Sequence, residues 1–444
     1  MPRVDFLSFT VPGAPWLDHE WLAELLTWLP WRTGGAWAVL LLYTVIITAT
    51  FALVGVRMHV RDVPPLVSTF LLLGALLAAG GSIGMRMQMF SLLLLAVLLL
   101  ILEKARSERA PRLLFYVPPL LCLWANLHGG FMIGLAVLGI ALCGSVIERI
   151  SAATEPRPRS GPLALALVAS TLATLLNPNG VAALIYPFRF LKRNPFTTRI
   201  AESLPPAFND PVTIAFGVLV SVLLLSLLLS QQRVNVTDLL LAGAFTLLAF
   251  SQARNIAVWV VAVLPITASA ITGAVGRFRN RAKEHVPIQA QSAALINGAL
   301  LTIVIAAYTL IAVNYLDTSR LAAMESEHFP LGAVAILKND HRPHRVFCDY
   351  EWGGYVSWAL GDRGLVFIDG RADTVYPTSV LDQYLSIASG LAGWHQELTK
   401  YGADAVILPP SAPLARLLVT DAQWEIAYAD RLSVLYVRSS PARL

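Results

Sequence analysis

The stretch Met87-Gln88-Met89-Phe90-Ser91-Leu92-Leu93-Leu94-Leu95-Ala96-Val97-Leu98-Leu99-Leu100-Ile101-Leu102-Glu103-Lys104-Ala105-Arg106 decides the class of this chain. It carries no charge from Met87 to Leu102, and then Glu103, Lys104 and Arg106 arrive together. A run of that length approaches the ~20 apolar residues that an α-helix needs to cross a bilayer. Similar runs lie at 36–56, 64–81, 113–125, 130–147, 162–176, 212–229, 237–251, 255–272 and 292–314. Together they predict about ten candidate spans. The short runs 113–125 and 130–147 flank Asn126-Leu127-His128-Gly129-Gly130. They predict a tight hairpin or a re-entrant pair, in which protein or water must satisfy the non-helical backbone.

Composition agrees with that pattern. The chain has 444 residues, of which 56% are hydrophobic and only 14% charged, against roughly 25% charged in a soluble domain. Mean hydropathy is +0.63. Disorder, a collagen-like chain and a single soluble domain are excluded. Three cysteines without CxxC spacing argue against a zinc or redox site.

The net charge of +5 hides two chemistries. From residue 317 onward, 15 Asp/Glu outnumber 11 Lys/Arg, while the part before it is basic. The basic residues cluster in short loops: Arg57/Arg61, Lys104/Arg106/Arg109/Arg112, Arg149/Arg157/Arg159 and Arg277/Arg279/Arg281/Lys283. They read as topology determinants, and the positive-inside rule makes that side cytoplasmic. No aromatic-studded basic patch supports binding to nucleic acid. Residues 1–35, the 126–130 turn, the 177–211 loop and the region after 317 are then expected outside. The expected domains are an exterior N-terminal loop with an amphipathic helix (1–35), a transmembrane bundle (36–316) and an extracytoplasmic α/β domain (317–444).

The exterior segments carry the candidate chemistry. Asp18, His19 and Glu20 sit between Trp16 and Trp21. They could bind a divalent cation or act as a general base. Alternatively, Asp18 caps the helix beginning near Glu20, and the tryptophans anchor it at the interface. Arg86 ends one span and Arg254-Asn255 separates two others. A guanidinium near hydrocarbon is costly unless paired or hydrated. Either arginine could grip a phosphate bidentately or snorkel to the interface. Asn177-Pro178-Asn179-Gly180 reads as a turn. The basic stretch 186–193 after it suits anionic headgroups or a lipid pyrophosphate.

From Phe329 onward the pattern changes to short strands and amphipathic helices. Strands are expected at 345–348, 365–368, 405–408, 424–428 and 433–437, and helices at 330–337, 354–360 and 379–400. That alternation predicts a small α/β layer domain. Asp349-Tyr350-Glu351-Trp352-Gly353-Gly354-Tyr355 and Asp369-Gly370-Arg371-Ala372-Asp373 follow strands, where α/β sheets tend to bind ligands. Carboxylates and an aromatic face there suit a sugar or a peptide. The alternative is turn and capping chemistry, with Asp369 and Asp373 paired to Arg371. No Walker A loop, dinucleotide fingerprint, GxSxG, HExxH or EF-hand pattern is present.

Several strings taken together resemble bacterial multi-pass proteins of the GT-C glycosyltransferase superfamily. They are Ser8-Phe9-Thr10, Pro12-Gly13, Pro15-Trp16, His19-Glu20-Trp21-Leu22, Asn126-Leu127-His128-Gly129-Gly130, Leu176-Asn177-Pro178, Arg254-Asn255 and Phe367-Ile368-Asp369-Gly370-Arg371-Ala372-Asp373. The resemblance covers nearly the whole chain and is less specific for an activity than for the group. It implies a GT-C-like polytopic helical bundle in a bacterial plasma (inner) membrane, followed by the extracytoplasmic α/β domain. It implies transfer of a sugar from a polyprenyl-phosphate donor to an exterior acceptor. Asp18 or Glu20 would then be the base or hold Mg²⁺ or Mn²⁺, and Arg86, His128 or Arg254 would meet the lipid phosphate. His19, Asn126, Asn177, Asp349, Trp352, Asp369, Arg371 and Asp373 are the expected acceptor or sugar contacts. The 349–355 loop is loosely similar to the WWDYG region of oligosaccharyltransferases, with a different residue order. Proteins of the group begin with a further transmembrane helix and an acidic-aromatic stretch, so the chain is expected to start late and to be inactive if the principal carboxylate lies there. The alternative function is a non-catalytic envelope protein that binds a polyprenyl lipid or a partner in surface-polymer assembly. A transporter is disfavoured, because the span interiors hold almost no acids.

Overall fold

The computed structural model describes residues 2–107, 110–150, 160–189, 204–230, 234–281, 323 and 325–439. These fall into two compact units, one holding residues 2–18 and the C-terminal region and the other beginning at His19.

The membrane unit is helical throughout. Its elements are α1 (Trp21–Val60), α2 (Pro65–Ala79), α3 (Gln88–Ser107), α4 (Val117–Leu127), α5 (Phe131–Ile150), α6 (Ser160–Ala173), α7 (Val181–Arg189), α8 (Pro211–Leu229), α9 (Val236–Ser251) and α10 (Ile256–Arg281). Among the described residues six helical segments are long and apolar enough to cross a membrane, and α6 and α9 are shorter apolar helices. Nine of the expected runs coincide with helical segments. The run 292–314 and the basic residues 190–193 lie outside the described residues.

Two departures from straight spans shape this unit. Gly35 inside α1 has φ 59° and ψ −151°, a conformation that side-chain-bearing residues avoid. Thr27 Oγ1 therefore lies 3.0 Å from Tyr43 Oη, although 16 residues separate them. A straight helix would hold those positions ~24 Å apart. The arm 21–34 thus folds back before the long apolar helix begins. The second departure is α4. Its 11 residues rise only ~16 Å, and the chain breaks at His128–Gly130 before α5 begins.

The core centres on α10, whose residues from Ile256 to Leu264 are all buried. Trp259 meets Phe216 edge-on at 5.4 Å and donates its indole N–H to Thr246 at 2.9 Å. The ends of α1, α3 and α5 gather with the start of α9 around buried charges. Arg57, 1% exposed, donates to Glu103 at 2.9 Å and to the Val261 carbonyl at 2.6 Å. Arg61 bridges Glu103 and Asp238, reaching the latter at 2.8 and 3.1 Å. Arg106 pairs with Glu148 at 3.3 Å. These groups line a cavity of about 870 Å³. Topology arginines therefore double as partners for acids at the helix ends, because a buried charge is tolerated only when paired.

In the α/β unit the strands are β1 (His344–Cys348), β2 (Gly364–Val366), β3 (Ala405–Leu408), β4 (Trp424–Ala429) and β5 (Val434–Arg438). Their order is β2-β1-β3-β5-β4, with β1 parallel to both neighbours and β5 antiparallel to both of its own. Side chains alternate between two cores. Val346, Cys348, Ala405 and Ile407 pack with Val334, Leu337, Val356 and Leu360. Phe347, Val406 and Leu408 pack on the other face with Phe367, Tyr384, Leu414 and Tyr436. Helices α11 (Leu331–Asn339) and α12 (Gly353–Leu360) serve the first core, and α13 (Thr378–Ala388), α14 (Trp394–Tyr401) and α15 (Pro413–Leu418) serve the second. The single expected helix 379–400 is two helices. Gly390 (φ 65°) and Gly393 (φ 93°) turn the chain between them, where a helix cannot continue.

The N-terminal segment is also part of this unit. Phe9 N–H donates to the Val366 carbonyl at 3.2 Å, and Val366 N–H donates to the Leu7 carbonyl at 3.0 Å. Residues 7–9 thereby cover the open edge of β2, which would otherwise present unpaired backbone groups.

Candidate functional site

In the membrane unit the candidate site forms where α1 begins and α4 gives way to α5. Glu20 occupies the N-cap position of α1 but makes no side-chain cap. Its carboxylate Oε1 lies 3.2 Å from His128 Nε2 and 3.6 Å from His19 Nε2. The His19 and His128 rings are 6.3 Å apart, and His19 also packs on Tyr186 at 5.2 Å. The N-cap position of α1 belongs to Glu20 and not to Asp18.

Asn126 anchors the cluster. Its Oδ1 accepts the Trp21 indole N–H at 3.2 Å, and its Nδ2 donates to the carbonyls of Cys122 at 2.8 Å and Leu176 at 3.0 Å. One amide thus ties the first turn of α1, the last turn of α4 and the segment following α6.

His128 is fixed from behind. Its Nδ1 accepts the Gly130 backbone N–H at 2.8 Å and lies 2.8 Å from Ser91 Oγ. Buried Trp124 donates its indole N–H to that same Ser91 oxygen at 2.7 Å. A Cβ at position 130 would collide with Ser91 Oγ and press on His128 Nδ1, so a larger residue there must displace one of them. Burial, with the positive fields of His19 and Arg254, pushes the His128 imidazole down to about 3, so it is neutral at physiological pH.

Arg254 stands in the 3₁₀ turn Ala253–Asn255, half-buried, with its Nε donating to Gln252 at 2.9 Å. Arg86 is exposed on the bend before α3. Asn177 builds a turn: it donates to the Thr174 carbonyl at 2.6 Å and accepts the Asn179 N–H at 2.8 Å. The fold therefore brings Glu20, His19, His128 and Asn126 together and lets Arg254 act on His128 through its field. Ser91 and Trp124 are not among the residues the sequence points to, and Tyr186 enters there only as the start of the basic stretch 186–193. The available signal for Ser91 was a lone hydroxyl inside the apolar stretch 89–102.

In the α/β unit Asp18 is buried at 4% exposure. Asp369 is 3% exposed, and Arg371 grips it through Nε at 2.9 Å and Nη2 at 2.8 Å. Arg371 also donates to Asp5 at 2.7 Å and to Tyr376 Oη at 3.0 Å, and its guanidinium lies over the Trp16 ring at 4.8 Å. Asp373 lies half-buried in the adjoining 3₁₀ turn. Asp349 accepts the Glu351 N–H at 3.0 Å and caps a short 3₁₀ turn. Trp352 is 6% exposed, belongs to the core and donates its indole N–H to the His328 carbonyl at 2.9 Å. Among the described residues no group of three or more His, Cys, Asp or Glu is placed to hold a metal ion.

No protein-family model and no curated protein matches the chain. Solved structures do. ArnT from Cupriavidus metallidurans, bound to undecaprenyl phosphate, is similar with a TM-score of 0.53 and 12% identity, over 97% of this chain and 90% of that one. An Archaeoglobus fulgidus oligosaccharyltransferase, tethered by a disulfide to an acceptor peptide with the NVT sequon, has a TM-score of 0.51 and 13% identity. That match covers 99% of this chain and 68% of the other. The fold is a GT-C-like membrane bundle followed by a small α/β domain.

Proposed function

We propose that this protein is a glycosyltransferase of the bacterial inner membrane, moving a sugar from a polyprenyl-phosphate donor to an extracytoplasmic acceptor. The observation that carries the reading is the Glu20–His128 pair, a carboxylate beside a neutral imidazole at one end of a GT-C-like bundle. The solved neighbours lend support from both sides of the reaction, one being bound to undecaprenyl phosphate and the other joined to an acceptor peptide.

The reaction is displacement at the anomeric carbon. Glu20 takes the proton of the acceptor group as that group bonds to C1. The bond from C1 to the phosphate oxygen breaks, and its electron pair leaves with the polyprenyl phosphate. Arg254, with Arg86, stabilises the charge on that phosphate, where oriented cations contribute most. Asp18 is the alternative base. His19, Asn126 and Asn177 are proposed to line the sugar or acceptor path, and Asp349, Asp369, Arg371 and Asp373 to contact the acceptor. No step is routed through a metal ion.

The test is consumption of a polyprenyl-phosphate sugar by the full-length protein in nanodiscs, with Asp18→Asn and Glu20→Gln alongside wild type. Loss of turnover by one variant, with donor binding retained, is expected. Unchanged turnover in both removes the assignment of the base. Donor binding without any turnover identifies a lipid-binding envelope protein instead.

A further inference from the structure

We infer that His128 is a positioning residue for Glu20, acting as a neutral Nε2–H tautomer that Ser91, Trp124 and the Gly130 amide impose from behind. The inference rests on the reading of Glu20 as the base, and it replaces the lipid-phosphate role expected for His128.

A backbone N–H is always a donor, so the Gly130 amide at 2.8 Å demands a lone pair on His128 Nδ1. Ser91 Oγ lies equally near, at 2.8 Å. An indole N–H only donates, so the Trp124 bond at 2.7 Å uses a lone pair of Ser91 and leaves its hydroxyl proton for Nδ1. Two donors converge on one ring nitrogen. The single hydrogen of a neutral imidazole must then sit on Nε2. Nε2 is the atom 3.2 Å from Glu20 Oε1.

Protonating the ring would set an Nδ1 hydrogen against both the Gly130 and the Ser91 hydrogens. His19 and Arg254 oppose the added charge as well. The ring therefore holds the carboxylate without neutralising it. A neutral Nε2–H donor orients the Glu20 carboxyl group. The supporting residues come from three places in the chain, α3 (Ser91), α4 (Trp124) and the break before α5 (Gly130), which makes the tautomer a property of the bundle. The same geometry explains why Gly129-Gly130 follows His128: a Cβ at 129 would approach His19 Cδ2 to 3.1 Å, and one at 130 would expel the hydroxyl of Ser91.

The test uses full-length protein in nanodiscs labelled with ¹⁵N-histidine, the His128 signals being assigned by their loss in His128→Gln. A bare Nδ1 and a protonated Nε2 are expected, unchanged between about pH 5.5 and 8, and Glu20→Ala should move the Nε2 resonance. An Nδ1–H tautomer, an imidazolium in that range, or an Nε2 signal indifferent to Glu20→Ala overturns the inference. This readout needs no substrate, so it stands apart from the glycosyltransferase reading, which fails on its own if wild type never consumes donor. Where turnover is measurable, His128→Ala should lower kcat by about ten- to a hundredfold, as expected for a lost hydrogen bond to a charged group. KM for the donor should hardly change, and His128→Gln, which keeps an N–H donor, should recover part of the rate. A raised donor KM with unchanged kcat in His128→Ala would mark a phosphate ligand and overturn the positioning role.

Discussion

Arg371 donates to the carboxylate of Asp5 at 2.7 Å across 366 residues of chain. Asp5 is 2% exposed and also accepts the hydroxyl of Ser8 at 2.5 Å. The N-terminal segment is therefore held on the β2 edge by a buried ion pair as well as by backbone hydrogen bonds. The two carboxylates of Asp5 and Asp369 share one guanidinium, with Trp16 covering its face.

Removing one member of that group should loosen the N-terminal strand. Asp5→Ala leaves Arg371 with one carboxylate fewer, and Arg371→Ala leaves two buried carboxylates unpaired. Breaking a buried pair costs about 3–5 kcal/mol, so Arg371→Ala is expected to be the worse of the two. Limited proteolysis of the full chain should cut within residues 2–18 of both variants well before it cuts wild type.

Gly130→Ala should act as a local wedge. The added methyl displaces Ser91 or His128, at a cost of about 1–3 kcal/mol by analogy with overpacked cores. Lowered thermal stability together with a changed His128 ¹⁵N tautomer signal is the expected result. A stable variant with an unaltered signal would contradict the packing described above.

The pH dependence of stability follows from the same histidine. His128 is neutral in the fold down to about 3, whereas an unfolded histidine takes up a proton below roughly 6.5. Below that point the unfolded state binds more protons, so the folded state loses stability as pH falls. The slope is about 1.4 kcal/mol per pH unit for one such group. His128→Gln removes the titration and should flatten the acid side of a melting-temperature profile relative to wild type.

The buried network at the other end of the membrane unit gives a fourth expectation. Arg61→Ala deprives both Glu103 and Asp238 of a partner, and about 3–5 kcal/mol is at stake. Unfolding in mixed micelles should be markedly easier than for wild type. Leu247→Ala, at an exposed position of α9, should behave like wild type.

Much of the architecture was legible in residue order. Uncharged runs such as 89–102 can be satisfied only as helices in lipid, because every backbone group must be bonded within the segment. Alternating Val346-Phe347-Cys348 and Ala405-Val406-Ile407-Leu408 announced strands buried on both faces. Pattern reading was weakest where a few dihedrals overrule composition. The positive φ of Gly390 and Gly393 divides one expected helix in two, and Gly35 reverses α1. It was weak as well where a side chain has two uses. Trp352 stands beside acids and glycines in the sequence, and its burial in the core is visible only in the fold.

The sequence by itself determined that this is a polytopic membrane chain with an α/β domain, because hydrophobic length and strand periodicity are local properties that survive without knowledge of contacts. It also marked Glu20, His128 and Arg371 as residues of interest. Only the tertiary structure decided their partners. Ser91 and Trp124 lie 37 and 4 residues from His128, and Asp5 lies 366 from Arg371. Hydrogen bonds and ion pairs depend on separations of about 3 Å in space, and residue order does not encode such separations until the helices and the sheet have packed.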